Sequence, residues 1–271
     1  MISVEKAGVE LLLFGSTASD SGVSAFTTTR NGVGGASPYA SFNLGLYSGG
    51  DVTEVCRNLS RLAGALGVPD AQLCLPRQVH GVEIGLVDAS FLKLDAFSRA
   101  RRLDGVDALI TNVPSTVVGV TTADCVPVLL YDPRQRVVAA AHAGWRGTAG
   151  RIASRCVERM AALYGTCAAD VRAMIGPSIS AACFEVGDEV FGAFSQAGFD
   201  MARMSFRHRD TGRYHLDLWE ANRQDLAGAG VPVSQMETAG LCTFTQCDRF
   251  YSARRLTVHS GRFVTGIYLC Q

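Results

Sequence analysis

Three residues of this 271-residue chain have the types and settings that chemistry needs: His80, Cys125 and His142. Each lies within an apolar run or beside a glycine, in Gln78-Val79-His80-Gly81, Thr122-Ala123-Asp124-Cys125-Val126-Pro127 and Ala141-His142-Ala143-Gly144-Trp145-Arg146-Gly147. Imidazole nitrogen and thiolate sulfur are soft donors, so the set selects zinc or copper over magnesium. Three protein ligands leave one tetrahedral position open for water or substrate, as a catalytic zinc requires. Taken singly, a histidine beside glycine is a hydrogen-bonding core residue and a lone cysteine in a strand is packing. All three together, with Arg146 and a glycine turn attached, favour a site. The turn after His142 leads into a predicted helix, whose N-terminus together with Arg146 suits an anion such as phosphate. Asp124 suits an acid–base group or a hydrogen-bond partner for a ligating histidine.

The elements that must bring these residues together are short. Runs 126–131 and 136–141 are, apart from Arg136, β-branched or apolar and flank Asp132-Pro133-Arg134-Gln135, a turn sequence, which predicts a hairpin. If Asp132 faces Gln135, paired positions sum to 267 and Cys125 lies opposite His142, with Cβ atoms about 5 Å apart. That distance allows a shared ion or a thiolate–imidazole pair. Proline at the second turn position suits a type I rather than a primed turn, so a bulge there would shift the pairing.

Further strands are expected over 82–87, 108–111, 116–122 and 263–269. Several are apolar on both faces, which implies layers above and below them. Helices are expected over 52–66, capped by Asp51 and ended by Gly67, and over 149–164, 188–196 and 217–227. Residues 99–104 read as a solvated loop, and His208, His215 and His259 as surface groups. Cys242 and Cys247 read as packing in an aromatic turn. With no repeat, linker or low-complexity tract, residues 1–271 read as a single domain of α+β type, without the regular strand–helix alternation of a doubly wound sheet.

Composition removes several function classes. Basic and acidic residues balance at 25 each, so no net field attracts nucleic acid or an anionic membrane. The apolar runs fall far short of the roughly 20 residues of a spanning helix, and no secretory signal is legible. A cytoplasmic location is therefore expected. Nine cysteines without a C-x-x-C pair make neither a disulfide framework nor a structural zinc pattern. The glycines of 31–35 and 45–50 form neither G-x-G-x-x-G nor a P-loop, and G-x-S-x-G is missing.

The motifs also resemble a known family. Phe26-Thr27-Thr28-Thr29-Arg30, Pro38 through Leu44, the three segments above, Asp107 through Thr111 and Ile175-Gly176-Pro177-Ser178-Ile179 are together similar to the laccase-domain family. That family is also called polyphenol oxidase-like or multicopper-oxidase-type-four, and includes purine nucleoside phosphorylases and a peptidoglycan editing factor. The resemblance implies zinc, or copper, on His80, Cys125 and His142, and a layered α/β/β/α sandwich similar to the cysteine-hydrolase fold of deamidating toxins. It further implies phosphorolysis of adenosine, inosine and methylthioadenosine, with adenosine deamination as a second activity. Catalytic roles then fall to Cys125, His142, Asp124 and Arg146, and substrate contacts to Arg146, Asn43 and Arg254. The partners expected are a purine nucleoside and phosphate, in a monomer or small homo-oligomer. Two other readings remain open: a cysteine amidohydrolase trimming cell-wall precursors, with Cys125 as nucleophile and His142 as base, and a copper-dependent polyphenol oxidase. The chain departs from the family where His259-Ser260-Gly261-Arg262 stands for a usual Thr-Gly-Arg segment, and at Cys247 in a usually polar stretch.

Overall fold

The structure, a computed structural model, describes residues 1–30 and 37–271. The glycine-rich stretch 31–35 lies outside the described residues. Two six-stranded sheets form the frame. In the first the order is Ile2–Lys6, Val9–Leu13, Val23–Thr28, Phe263–Leu269, Val117–Thr122 and Leu73–Cys74. In the second it is Met236–Thr238, Arg172–Ile175, Val126–Asp132, Val137–Ala143, Ala108–Thr111 and Ile84–Leu86. Both are antiparallel at their centres, with parallel pairs only at the edges formed by Leu73–Cys74, Met236–Thr238 and Ile84–Leu86. A third, three-stranded sheet comprises Glu185–Val186, Tyr214–Leu216 and Ser205–Arg207.

Alternation along the strands explains why so many of them are apolar throughout. Leu129, Tyr131, Val138 and Ala140 of the second sheet pack with Val118, Val120, Ile267 and Leu269 of the first. Their neighbours Val128, Leu130, Ala139 and Ala141 turn the other way, onto Ala153, Cys156 and Met160 of the helix Ile152–Tyr164 and onto the helices Asp188–Gln196 and Leu218–Gly228. On the far side, Leu62, Ala63 and Leu66 of the helix Val52–Leu66 cover Leu11, Phe26, Val117 and Val264 of the first sheet. The order of layers is helix, sheet, sheet, helices, a mixed α+β arrangement. No helix among the described residues is long and apolar enough to cross a membrane.

Local sequence signals set several boundaries directly. Asp51 caps Val52–Leu66 by accepting from Thr53 N at 2.8 Å, and Gly67 ends it at φ 72°. The helix expected over 149–164 divides instead into Trp145–Ala149 and Ile152–Tyr164, with Arg151 between them at φ 65°. A distant residue accounts for the break: the buried Asp225 carboxylate accepts from Ser154 N at 3.0 Å and so caps a new helix there. The strand expected over 82–87 narrows to Ile84–Leu86, and the loop expected over 99–104 begins as part of the helix Ala96–Arg102, capped by Asp95 on Ser98 N.

The hairpin carries the most consequential correction. Its pairs are Pro127↔His142 and Asp132↔Val137, summing to 269 rather than 267. Asp132 Oδ1 accepts from Arg134 N at 2.8 Å and Gln135 N at 3.1 Å, closing a four-residue loop in which Arg136 takes φ 49°. An even shift preserves the face on which each side chain lies. Cys125 and His142 therefore remain on one face, diagonal to each other rather than opposite.

We expect Asp132→Ala, which removes both loop contacts, to lower unfolding stability by about 1–2 kcal/mol, with Asp132→Asn losing less. Urea unfolding followed by circular dichroism measures this. An unchanged midpoint in the alanine variant would mean that the loop closes without the carboxylate.

Candidate metal centre

One buried carboxylate organises the site. The strand Ala108–Thr111 pairs with Val137–Ala143 through Ala108↔Ala141, and one step further Asp107 comes beside His142. His142 N donates to Asp107 O at 2.8 Å, and His142 Nδ1 meets Asp107 Oδ1 at 2.8 Å. The same carboxylate accepts from Val79 N at 3.1 Å, His80 N at 3.0 Å and Gly81 N at 2.7 Å. Three successive amides thus converge on one anion. That contact holds His80 at φ 62°, a left-handed backbone that costs a non-glycine residue about 1–2 kcal/mol.

Cys125 arrives from the loop that precedes the strand Val126–Asp132. One ligand atom from each of His80, Cys125 and His142 lies within 4.8 Å of the others, the only group of this kind among the described residues. The His80 and His142 rings meet edge-on with centroids 4.8 Å apart. His142 is buried, Cys125 half-buried and His80 exposed, so the cup opens on the His80 side. Gly144 leaves its centre clear. A Cβ there would stand 3.0 Å from Cys125 Sγ, 3.1 Å from His80 Cδ2 and 3.7 Å from His142 Cε1.

The electrostatics follow from these contacts. Burial opposes the Cys125 thiolate, but His142 and His80 outweigh it and bring the thiol down to about 6. Burial likewise opposes a charged His142, and the Cys125 thiolate with Asp107 outweighs it and raises the imidazole to about 9. Asp107 is held below the usual carboxylate range: burial works against it, and the His142 hydrogen bond and the Gly81 and Val79 amides prevail. The donors fit a soft divalent ion. With Nδ1–H directed at Asp107, His142 offers Nε2 as a lone pair of fixed direction, and a metal ion would displace the protons that otherwise make the imidazolium–thiolate pair.

The other residues expected at the site are placed around this cup. Asp124, at φ 87°, accepts from Thr243 Oγ1 at 2.7 Å and from Arg254 N at 2.6 Å. The carboxylate beneath His142 is thus Asp107 and not Asp124. Arg146 is exposed in the five-residue helix Trp145–Ala149, its guanidinium 4.2 Å from the Trp145 ring centroid. Arg254 lies over Phe184 and donates to Glu185 O at 3.1 Å. Asn43 is buried, and its Oδ1 accepts from Gly45 N at 3.0 Å and Arg262 N at 2.9 Å. His215 is not a surface group: it is buried, with Nδ1 2.9 Å from Ala181 O and Nε2 3.7 Å from Glu185. Cys242 is more than packing, because Ser180 N and Oγ reach its sulfur at 3.4 and 3.2 Å and draw the thiol down to about 7 against the opposing effect of burial. A cavity of about 570 Å³ lined by Tyr47, Cys74, Phe91 and Leu94 includes none of the three donors.

Asp107 and Gly144 are the members of the site that reading single segments did not assign. The usable signal for Asp107 is an acid placed just before an apolar strand, at a position that the pairing with 137–143 brings beside His142.

Residues 24–270 match a family described as multi-copper polyphenol oxidoreductase laccase. A purine nucleoside phosphorylase of Bacteroides thetaiotaomicron is 45% identical over 269 residues, covering 99% of each chain. Adenosine deaminase RL5, from an unknown prokaryotic organism, is 44% identical over 247 residues, covering 91% of this chain and 94% of that one. The crystal structure of YlmD from Geobacillus stearothermophilus superposes with a TM-score of 0.86 at 35% identity, over 95% of this chain and 94% of that one.

After chelation, Cys125 should be alkylated by iodoacetamide with a half-maximal rate near pH 6, which mass spectrometry of the modified peptide can follow. In Asp107→Asn the His142 imidazolium loses its carboxylate, so the thiol should titrate nearer its ordinary ~8.5. The same midpoint in both proteins would show that Asp107 does not control the pair.

Proposed function

The chain belongs to the multi-copper polyphenol oxidoreductase laccase family, and on that premise we propose that it is a metal-dependent purine nucleoside phosphorylase. Its substrates in this reading are adenosine, inosine and methylthioadenosine, each split with inorganic phosphate into base and sugar 1-phosphate, with adenosine deamination as a second activity. The observation that carries the reading is the convergence of His80, Cys125 and His142 at a glycine-cleared cup, in a chain similar from end to end to a purine nucleoside phosphorylase. The reading places the protein in the cytoplasm, as a monomer or small homo-oligomer.

In the reaction, the bond between the sugar anomeric carbon and the base nitrogen breaks, a phosphate oxygen bonds to that carbon, and the base nitrogen gains a proton. His80, Cys125 and His142 would hold zinc, with copper as the alternative ion for the same donors. When bound, such an ion polarises a substrate heteroatom and lowers the pKa of a bound water. Asp107 keeps the His142 ring in one tautomer and one orientation. Asp124, the residue before Cys125, is assigned the acid–base role, its carboxylate fixed by Thr243 and the Arg254 amide. Arg146 and Arg254 supply exposed charge for the substrate, and Asn43 acts through the segment it braces.

A second reading has its own support. Cys125, His142 and Asp107 form a nucleophile, base and orienting carboxylate in sequence, the arrangement of a covalent cysteine hydrolase, and a deamidating-toxin kinship of the fold is proposed with it. Such chemistry needs Cys125 and His142 but not His80. A copper oxidase is not advanced, since the chain has five histidines and a multicopper centre draws on more.

Elemental analysis of the purified protein, joined to a product assay with inosine and phosphate, tests the first reading. We expect up to one equivalent of zinc and base release that depends on phosphate. His80→Ala and His142→Ala should lose metal and turnover in parallel. Equal base release without phosphate would overturn the phosphorylase, and turnover in metal-free His80→Ala with covalent trapping of Cys125 would establish the cysteine mechanism.

A further inference from the structure

Arg262 is a part-buried arginine without a carboxylate partner among the described residues, and its position places it at the cup. Pairing of Phe263 with Thr122 ends the first sheet there, so Arg262 leaves the strand alongside the Ala123-Asp124-Cys125 loop. Its main chain is held by Asn43 Oδ1, which accepts from Arg262 N at 2.9 Å, and by Leu44 N, which donates to Arg262 O at 2.9 Å. The stem of the side chain fits because residue 45 is glycine: a Cβ there would stand 2.7 Å from Arg262 Cγ.

The head is fixed by carbonyl oxygens rather than by an anion. Nη1 donates to Ser260 O at 2.6 Å and Gly261 O at 2.9 Å, with Ser260 Oγ at 3.4 Å, and Nη2 donates to Val258 O at 3.2 Å. Among the described residues, Nε–H and one Nη2 hydrogen have no partner. In a guanidinium these two can grip two oxygens of one anion. Burial pulls the guanidinium below its ordinary pKa, and the groups close enough to oppose that are Cys125, Asp124 and Tyr39. Asp124 directs its two oxygens to Thr243 Oγ1 and Arg254 N instead. A cation desolvated in this way is unfavourable unless an anion joins it. Arg146 and Arg254 differ, being exposed and laid over Trp145 and Phe184.

We propose that Arg262 is the phosphate-binding residue of this site, its free Nε and Nη2 hydrogens taking two oxygens of the phosphate that attacks the nucleoside. The assignment rests on the phosphorolysis reading. The carbonyls of 258, 260 and 261 hold the guanidinium before phosphate arrives, so it loses little freedom on binding.

The test is steady-state kinetics with inosine and phosphate varied independently in wild type, Arg262→Lys and Arg262→Gln. Lysine keeps the charge but not the fork, so the phosphate KM should rise at least tenfold in both variants while the inosine KM changes less than threefold. A part played only in holding the 258–261 turn would move the two constants together. Unchanged phosphate KM in a phosphate-dependent enzyme overturns the assignment and leaves the phosphorylase reading intact. Phosphate-independent base release in wild type overturns the phosphorylase reading instead, and calorimetric titration of inorganic phosphate then decides on Arg262: binding lost in Arg262→Gln supports the anion site, binding kept refutes it. Should the variants fail to fold, wild-type crystals soaked in tungstate give the answer. Density on Arg262 Nε and Nη2 supports the site, and density elsewhere or none at all refutes it.

Discussion

A single buried carboxylate receiving four hydrogen bonds is the constraint on which the cup depends. Asp107 accepts from three consecutive amides of one segment and from the imidazole of another. Each bond to a charged acceptor contributes about 1.5–3 kcal/mol. Together they offset the left-handed backbone at His80 and the desolvation of the carboxylate itself. That anion ties a loop, 79–81, to the end of a central strand at His142, two segments that share no backbone ladder.

The rest of the fold brings this end of the sheets to the surface while keeping the far side of the cup dry. His142 and Cys125 lie on the face of the second sheet that packs against the first, at the point where the interface opens. Phe263–Leu269 and Val117–Thr122 end at the same level in the first sheet, which brings Arg262 and the Asp124 loop within electrostatic reach. A sandwich of two sheets therefore collects, at one margin, residues as far apart in sequence as His80 and Arg262. Packing fixes the strands, and the exits of the strands fix the chemistry.

How much of this was legible in the sequence depends on the range of the cause. The bounds 52–66, 108–111, 188–196 and 263–269 were readable because caps, glycines and periodicity act over a few residues. The break at Arg151 was hidden because the capping carboxylate belongs to Asp225, on another helix. The register was off by two because Asp132 closes a longer loop than its turn residues suggested. The three donors converge all the same, since parity and not exact pairing decides which side chains share a face. His215 looked exposed among charged neighbours, and only the three-stranded sheet turns it onto Ala181. Asp107 was readable as a residue but not as a hub, because its meaning lies in a cross-strand neighbour.

The low pKa of Cys125 carries a consequence for the lifetime of the protein. A half-buried thiol that is largely ionised at neutral pH reacts readily with hydroperoxides, passing to sulfenic and then irreversibly to sulfinic acid. A ligand bond to metal would withdraw that electron pair from oxidants. Cys156 and Cys74, pushed upward by burial, stay protonated and inert under the same conditions. Oxidative ageing of the metal-free protein should therefore begin at its reactive centre rather than at its surface, silencing the site while the fold around it remains whole.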